Sequence, residues 1–400
     1  MLEPSMTLTS GSSTTSGDFR GTSRRNGFLG CALCGVVIGA VVAFLATYFI
    51  TRSPAPAYSE GTIVVAHRGA SAMHPDESRE AYLQALNVSP SVFWECDVNL
   101  LDDGTPVCLH EPLMDKATDV VTNVPEETRR VDGLGVGDAA WAYDVTGVWP
   151  DQMPGMFNDA DELKYRLKFE IASRRKNPDP YHSSNLGTPM TLDSFLALAR
   201  AAGVSVFIEL KHPSYYLARG YDLVRVVRER LLTSGIDSSK VWIECFDVEE
   251  VLAFKNDYKV AALVWDAHLA NRSSADDLVY GVYKKEFDAV GQFSHNTILN
   301  ATPQWCKNNG VHAISPDKQI LMKFPEVVSR YRDAGILVIP WTIVPESAGP
   351  DFGNSSLWEA VRFFEQSVDG LFLDDPETGL AAKTWLLAAE RGWTPMPRLV

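Results

Sequence analysis

Strand-like apolar runs alternate with helix-like segments along most of this 400-residue chain, ionisable residues recur where the runs end, and one turn signal interrupts the alternation. These observations predict an α/β protein: a distorted TIM (β/α)8 barrel with an insertion after the third strand, preceded by one N-terminal transmembrane helix. A hydrophobic content of 46% with 22% charged residues suits a chain able to bury a barrel core. The net charge of -15 argues against a nucleic-acid binder, which would present a basic face.

Residues 1–26 are rich in Ser, Thr and Gly and predict a disordered tail. Residues 27–50 carry no charge over 24 positions, longer than a signal-peptide core of about 7–15 residues and long enough to span a bilayer. Arg20, Arg24 and Arg25 precede this run and only Arg52 follows closely, so the tail is expected in the cytosol and the rest outside it, a single-pass type II arrangement with the catalytic domain lumenal or extracellular. Cleavage as a signal stays open. Cys31 and Cys34 fall within the span and read as membrane-embedded thiols. Four Asn-x-Ser/Thr sites, at Asn87, Asn271, Asn300 and Asn354, agree with an exterior, glycosylated domain. Residues 51–60 read as a Pro-containing linker, 61–385 as the barrel with its insertion at about 114–189, and 386–400 as a C-terminal tail.

The barrel opens with a β-branched run, Thr62 to Ala66, that ends in His67-Arg68-Gly69, placing a proton-transfer group and a phosphate-binding fork at a strand end. Ser78 caps a helix from Arg79, and Val92 to Val98 is the next strand, with Glu95 and Asp97 on one face. Asp103-Gly104 predicts a two-residue hairpin turn, which would set His110 opposite Asp97. Carboxylates in a strand otherwise built from Val92, Phe93, Trp94 and Val98 call for a metal or another cation. After the insertion, helix-then-strand units recur: a helix capped by Thr191 with Val204–Leu210, Tyr221–Leu232 with Val241–Phe246, Val251–Asn256 with Val260–Trp265, Phe324–Ala334 with Ile336–Trp341, and Leu357–Gln366 with Val368–Leu373. This is one strand too many for a ring of eight, so one is expected outside it. Cys96, Cys108, Cys245 and Cys306 read as buried free thiols.

The order HR, E-x-D, H, followed by IELK (Ile208–Lys211), ECFD (Glu244–Asp247), ISPD (Ile314–Asp317), PWT (Pro340–Thr342) and VDGLFLDDPE (Val368–Glu377), resembles the glycerophosphodiester phosphodiesterase family over roughly Gly61 to Leu380. The resemblance is to its long-insertion, bacterial periplasmic-like subgroup. It implies hydrolysis of glycerophosphodiesters to sn-glycerol 3-phosphate and an alcohol, with His67 and His110 as the acid/base pair, Arg68 and Lys211 on phosphate, Trp341 against the glycerol or alcohol portion, and Glu95, Asp97 and Glu209 holding Mg2+ or Ca2+. Pro75-Asp76-Glu77-Ser78 departs from the family's Pro-Glu-Asn-Thr by shortening one carboxylate and adding another. A lysophospholipase D-type activity and a catalytically silent membrane receptor or scaffold remain the alternatives.

Overall fold

The computed structural model describes residues 61–100, 104–110, 169–170, 186–188, 190–218, 220–264, 281–287 and 293–391. The expected tail, transmembrane span and linker, with Cys31 and Cys34, lie outside the described residues, as do most of the insertion and residues 392–400. Among the described residues, no helix is long and apolar enough to cross a membrane.

The strands are β1 (Ile63–Ala66), β2 (Phe93–Leu100), β3 (Pro106–Cys108), β4 (Phe169–Glu170), β5 (Leu186–Gly187), β6 (Met190–Thr191), β7 (Val206–Leu210), β8 (Val241–Cys245), β9 (Lys259–Val264), β10 (Gly281–Phe287), β11 (Phe293–Asn300), β12 (Ala313–Pro316), β13 (Leu337–Val338) and β14 (Gly370–Leu373). Eight of them form a parallel path in the order β13-β12-β9-β8-β7-β2-β1-β14. Its two ends meet through a parallel bridge between Ile343 and Leu373 and a backbone bond from Phe372 to Pro340 of 3.1 Å, which closes the ring. A (β/α)8 barrel is therefore present, and β3 is the extra strand outside it, antiparallel to β2 and β6. Two further antiparallel ladders, β4–β5 and β10–β11, also stand outside the ring.

The helices that matter for the site follow their sequence signals. In α1 (Arg79–Val88) the Ser78 hydroxyl accepts from the Ala81 amide, and in α2 (Leu192–Ala202) Thr191 does the same for Ser194, with Gly203 ending the helix at φ 70°. The last described helix, α3 (Pro376–Glu390), continues across the boundary expected at 385. Alternate residues of each ring strand point to opposite sides. Trp94, Cys96, Val98, Ile208 and Ile243 pack outward under the helices, whereas Val65, Phe207, Trp242, Ala261, Ala313, Ile339 and Phe372 fill the lower lumen. Phe207 stacks on Trp242 and meets Phe372 edge-on, with both centroid distances at 5.1 Å, so this end of the barrel is a packed plug.

Two local expectations need correction. The β2–β3 register pairs Val98 with Cys108 and Leu100 with Pro106, one residue away from that of a two-residue turn. Leu109, not His110, therefore lies across from Asp97, its amide donating to the Asp97 carbonyl at 2.8 Å. Cys96 and Cys108 are not free thiols: these neighbouring strands bring their Cα atoms to 5.7 Å and a disulfide joins them. Cys245 and Cys306 are buried and free, as expected.

Candidate active site

The upper lumen is assembled one alternation step beyond the apolar plug, at the C-terminal ends of the strands. The chain leaves β1 through a tight turn in which Arg68 has φ 58° and Gly69 φ 82°. A side chain at Gly69 would put its Cβ 2.7 Å from that of Ala81, so the turn can lie against α1 only with glycine there. This turn presents His67 and Arg68 to the mouth. The Nδ1 atom of His67 lies 2.7 Å from Oδ1 of Asp374, which is fully buried just after β14. Asp374 thereby orients the ring. The sequence gives Asp374 no separate signal beyond its place in VDGLFLDDPE, at a strand end.

Arg68 is held from several sides. Its amide donates to Glu95 Oε2 at 2.7 Å, and one guanidinium nitrogen reaches Asp76 Oδ2 at 3.0 Å. Its Nε lies 3.0 Å from Asp97 Oδ2, a charge contact without hydrogen-bond alignment. Across the mouth, Lys211 Nζ pairs with Glu209 Oε1 at 2.8 Å and with Asp97 Oδ1 at 3.4 Å. Asp97 is thus clamped between the two expected phosphate-binding cations. His110 also acts on Asp97 through its charge, despite the shifted hairpin register. Trp341 donates from Nε1 to the Ser315 carbonyl at 2.8 Å and meets Phe246 edge-on at 5.8 Å.

The carboxylate cluster is larger than the sequence suggested. Glu77, held at φ 61°, accepts from the Tyr82 hydroxyl and, at 3.0 Å, from the Asp97 amide. Carboxylate oxygens of Glu77, Glu95 and Asp97 lie within 4.8 Å of one another, and Glu209 adjoins Asp97. Glu244 is a fifth buried carboxyl on the same lumen face. Burial pushes Glu77, Glu95 and Glu244 well above the usual carboxylate range, and the neighbouring carboxylates add to the effect. Burial also pushes Asp97 up, but Lys211, His110 and Arg68 outweigh it and hold Asp97 well below that range. Glu209 is pushed up to about 8 by burial, against the pull of Lys211. Burial lowers Lys211, yet Asp97 and Glu209 bring it above its ordinary value. Burial and mutual repulsion thus raise the other carboxyls of the cluster, whereas the cations around Asp97 lower it.

These residues fit a divalent cation. Glu95 Oε1 is buried without a hydrogen-bond partner beside the Glu77 and Asp97 oxygens, and an all-oxygen donor set suits Mg2+ or Ca2+. Cys96 and Cys108 also approach Glu77, but their disulfide removes them as thiolate ligands. Glu95 and Asp97 are the expected ligands brought together. Glu77 joins them, while Glu209, the third expected ligand, shares its carboxylate with Lys211.

Residues 67–378 match the family model described as the glycerophosphoryl diester phosphodiesterase family. The chain belongs to that family. Among its relatives is a glycerophosphodiester phosphodiesterase of Haemophilus influenzae, 21% identical over 340 residues that cover 80% of this chain and 88% of the relative. A glycerophosphodiester phosphodiesterase of Arabidopsis thaliana is 28% identical over 200 residues, 48% of this chain, which spans only 25% of that longer relative. The solved structure of an Oleispira antarctica phosphodiesterase, in complex with the product sn-glycerol-3-phosphate, superposes with a TM-score of 0.51 at 18% identity, covering 81% of this chain and 98% of the other. That likeness supports the barrel. Within this glycerophosphodiester phosphodiesterase family member, His67, Arg68, Glu209, Lys211 and Trp341 stand at or just beyond the C-terminal ends of ring strands, Glu95 and Asp97 lie within β2, and His110 follows the hairpin arm β3.

Proposed function

We propose that this protein hydrolyses glycerophosphodiesters to sn-glycerol 3-phosphate and an alcohol, using a divalent cation and His67 and His110 as the acid/base pair. The observation that carries the reading is the Asp97 environment: one buried ionised carboxylate with Arg68, Lys211 and His110 around it, next to a second histidine oriented by Asp374. Arg68 and Lys211 provide positive charge for the non-bridging phosphoryl oxygens. One histidine removes a proton from the attacking hydroxyl and the other protonates the alcohol oxygen as its bond to phosphorus breaks. By family resemblance, the attacking group is the glycerol hydroxyl, and water then opens the cyclic phosphate. When bound, the cation, held by Glu95 and Asp97 with Glu77 and Glu209 adjacent, supplies charge neutralisation and lowers the pKa of the nucleophile.

The fold suits a domain outside the cytosol. A disulfide buried between two strands belongs to an oxidising compartment, and the sequons at Asn87 and Asn354 are exposed. These features support a barrel on the lumenal or extracellular side, and the reading of residues 27–50 as its membrane anchor rests on their uncharged run alone.

The test is release of choline and glycerol 3-phosphate from glycerophosphocholine by the purified full-length chain with Mg2+, Ca2+ or EDTA, beside His67→Ala and His110→Ala. Cation-dependent release lost in both variants supports the proposal. Release that survives EDTA, or survives either substitution, rules out this mechanism, and no release from glycerophosphocholine or glycerophosphoinositol with either cation removes the activity.

A further inference from the structure

His110 stands outside the ring, at the end of an arm that has to be held against β2. In an antiparallel ladder two facing residues of a hydrogen-bonded pair exchange both backbone bonds. At the last rung before His110 only one of the two is made: the Leu109 amide donates to the Asp97 carbonyl at 2.8 Å. The Asp97 amide turns instead to Glu77 Oε1 at 3.0 Å. The Leu109 carbonyl, in a buried residue, is taken by the Asn99 side chain, whose Nδ2 donates to it at 2.5 Å. Asn99 Oδ1 accepts from the Tyr216 hydroxyl at 2.9 Å, and that hydroxyl accepts from the Leu100 amide at 3.1 Å. Because the hydroxyl proton goes to Oδ1, the Asn99 amide is fixed with its NH2 toward the arm. Asn99 is 1% exposed and belongs to neither the acid/base pair, the cation site nor the phosphate clamp.

The arm is tied a second time, from the opposite face of β2. Cys96, between Glu95 and Asp97, is bonded to Cys108, two residues before His110, and both are fully buried. Side chains alternate along the strand, so the disulfide lies under the helices and Asn99 lies on the Asp97 side. β3 itself is only three residues long, so its ladder alone is a weak hold. Resting on the proposed activity, we infer that Asn99 and the Cys96–Cys108 disulfide are positioning residues: they complete the Leu109 rung from its two faces and hold His110 in place for proton transfer. Without Asn99 the buried Leu109 carbonyl has no donor at this rung, and the remaining bond to Asp97 opens more readily. A shift of about 1 Å at a proton-transfer group is enough to cost about 10²-fold in rate.

The test uses the full-length protein with Asn99→Ala, Tyr216→Phe or the pair Cys96→Ala and Cys108→Ala, each also combined with His110→Ala. Amide hydrogen exchange of residues 104–110 is read by mass spectrometry, beside kcat and KM on glycerophosphocholine with Mg2+ or Ca2+. The expected result is faster exchange in the arm with β7 and β8 unchanged, and kcat lower by about 10- to 100-fold with KM within about 2-fold. Tyr216→Phe, which loses only the hydroxyl that orients Asn99, should give a smaller change in the same direction and serves as the test if Asn99→Ala does not fold. In the His110→Ala background the same substitutions should lower kcat no further, because a residue that acts through His110 then has nothing left to position. Losses that add to that of His110→Ala, with faster exchange across the whole barrel, mark a merely structural role and overturn the inference. So does an arm that exchanges at the wild-type rate, or an arm that loosens while kcat stays unchanged. A wild type that hydrolyses no diester fails the proposed activity, and the exchange of the arm then decides this inference by itself.

Discussion

Val65, Phe93, Phe207, Trp242, Ile339 and Phe372 meet in the lower lumen, while two residues further along the same strands stand His67, Glu95, Glu209, Glu244, Trp341 and Asp374. One step of strand alternation therefore switches the interior from an apolar plug to a crowded ionisable layer, with the strand directions unchanged. The plug consists of groups that need no specific partner, so it can fix the diameter and stagger of the ring. The upper layer is the reverse: each carboxyl is buried at a cost and retained because the plug beneath it leaves nowhere else to turn. Stability and chemistry are thus divided by height within one barrel, and substitutions at the two heights should behave differently.

The largest effect is expected in the upper layer on rate. His67→Ala and His110→Ala should each lower kcat by about 10²- to 10⁴-fold with a nearly unchanged melting temperature. Asp374→Asn should give a smaller loss in kcat with little change in KM, because it disturbs the tautomer and orientation of His67 and not substrate contacts. Melting temperatures that fall as far as those of plug variants would remove the division by height. In the plug, Phe207→Ala deletes a ring packed between Trp242 and Phe372 and should cost about 3–5 kcal/mol in urea unfolding, while kcat per folded molecule stays near wild type.

A substitution at Glu77 should run opposite to Phe207→Ala. Glu77 is a buried carboxyl beside Glu95 and Asp97, and burial followed by the Asp97 charge pushes it well above the usual range. Glu77→Gln removes that conflict and can keep the bond from the Asp97 amide, so the metal-free protein should gain up to about 1–2 kcal/mol at pH 8. The same variant should show a smaller rise in melting temperature on adding Ca2+ or Mg2+, since a ligand stabilises only in proportion to its affinity for the folded state. A metal-free variant less stable than wild type would show Glu77 to be a structural hydrogen-bonding residue.

How far the sequence reveals this division depends on how local each signal is. The turn after β1, the Ser78 and Thr191 caps and the inward pairs Glu95/Asp97 and Glu209/Lys211 follow from residues a few positions apart, and the structure brings them together as expected. The Asp374–His67 pair joins residues 307 positions apart and becomes visible only when β14 closes the ring on β1. The ECFD motif marks Glu244 but gives it no role, because no neighbour in sequence marks its side as the lumen. The hairpin failed by a single residue, since register depends on the length of the connection and Asp103-Gly104 alone does not fix that length. That slip also hid the disulfide, whose cysteines were judged one by one as apolar strand residues.

The smallest expected effect lies at the floor of the barrel, where one titratable group follows the plug's rule. His312 enters β12 from below, its ring edge-on to Trp242 at 6.4 Å, and its Nδ1 accepts from the Val260 amide at 3.2 Å. Partial burial, aided by the nearby Lys259 charge, lowers its pKa, so the neutral ring belongs to the folded state. Above pH of about 6.5 the histidine is neutral in folded and unfolded chains alike, and its contribution is complete. As pH falls below that value the unfolded chain takes the proton first, and stability is lost until the folded ring protonates as well. Water screens the exposed half of the ring, which keeps the effect below about 1 kcal/mol. His312→Gln preserves an acceptor and does not titrate, so urea unfolding at pH 7.5 and 5.5 should show a smaller acid loss for this variant than for wild type, with kcat at pH 7.5 unchanged. An equal acid loss in both would place all of the barrel's pH sensitivity in the upper layer, where Asp97 must be protonated against Lys211 and Arg68.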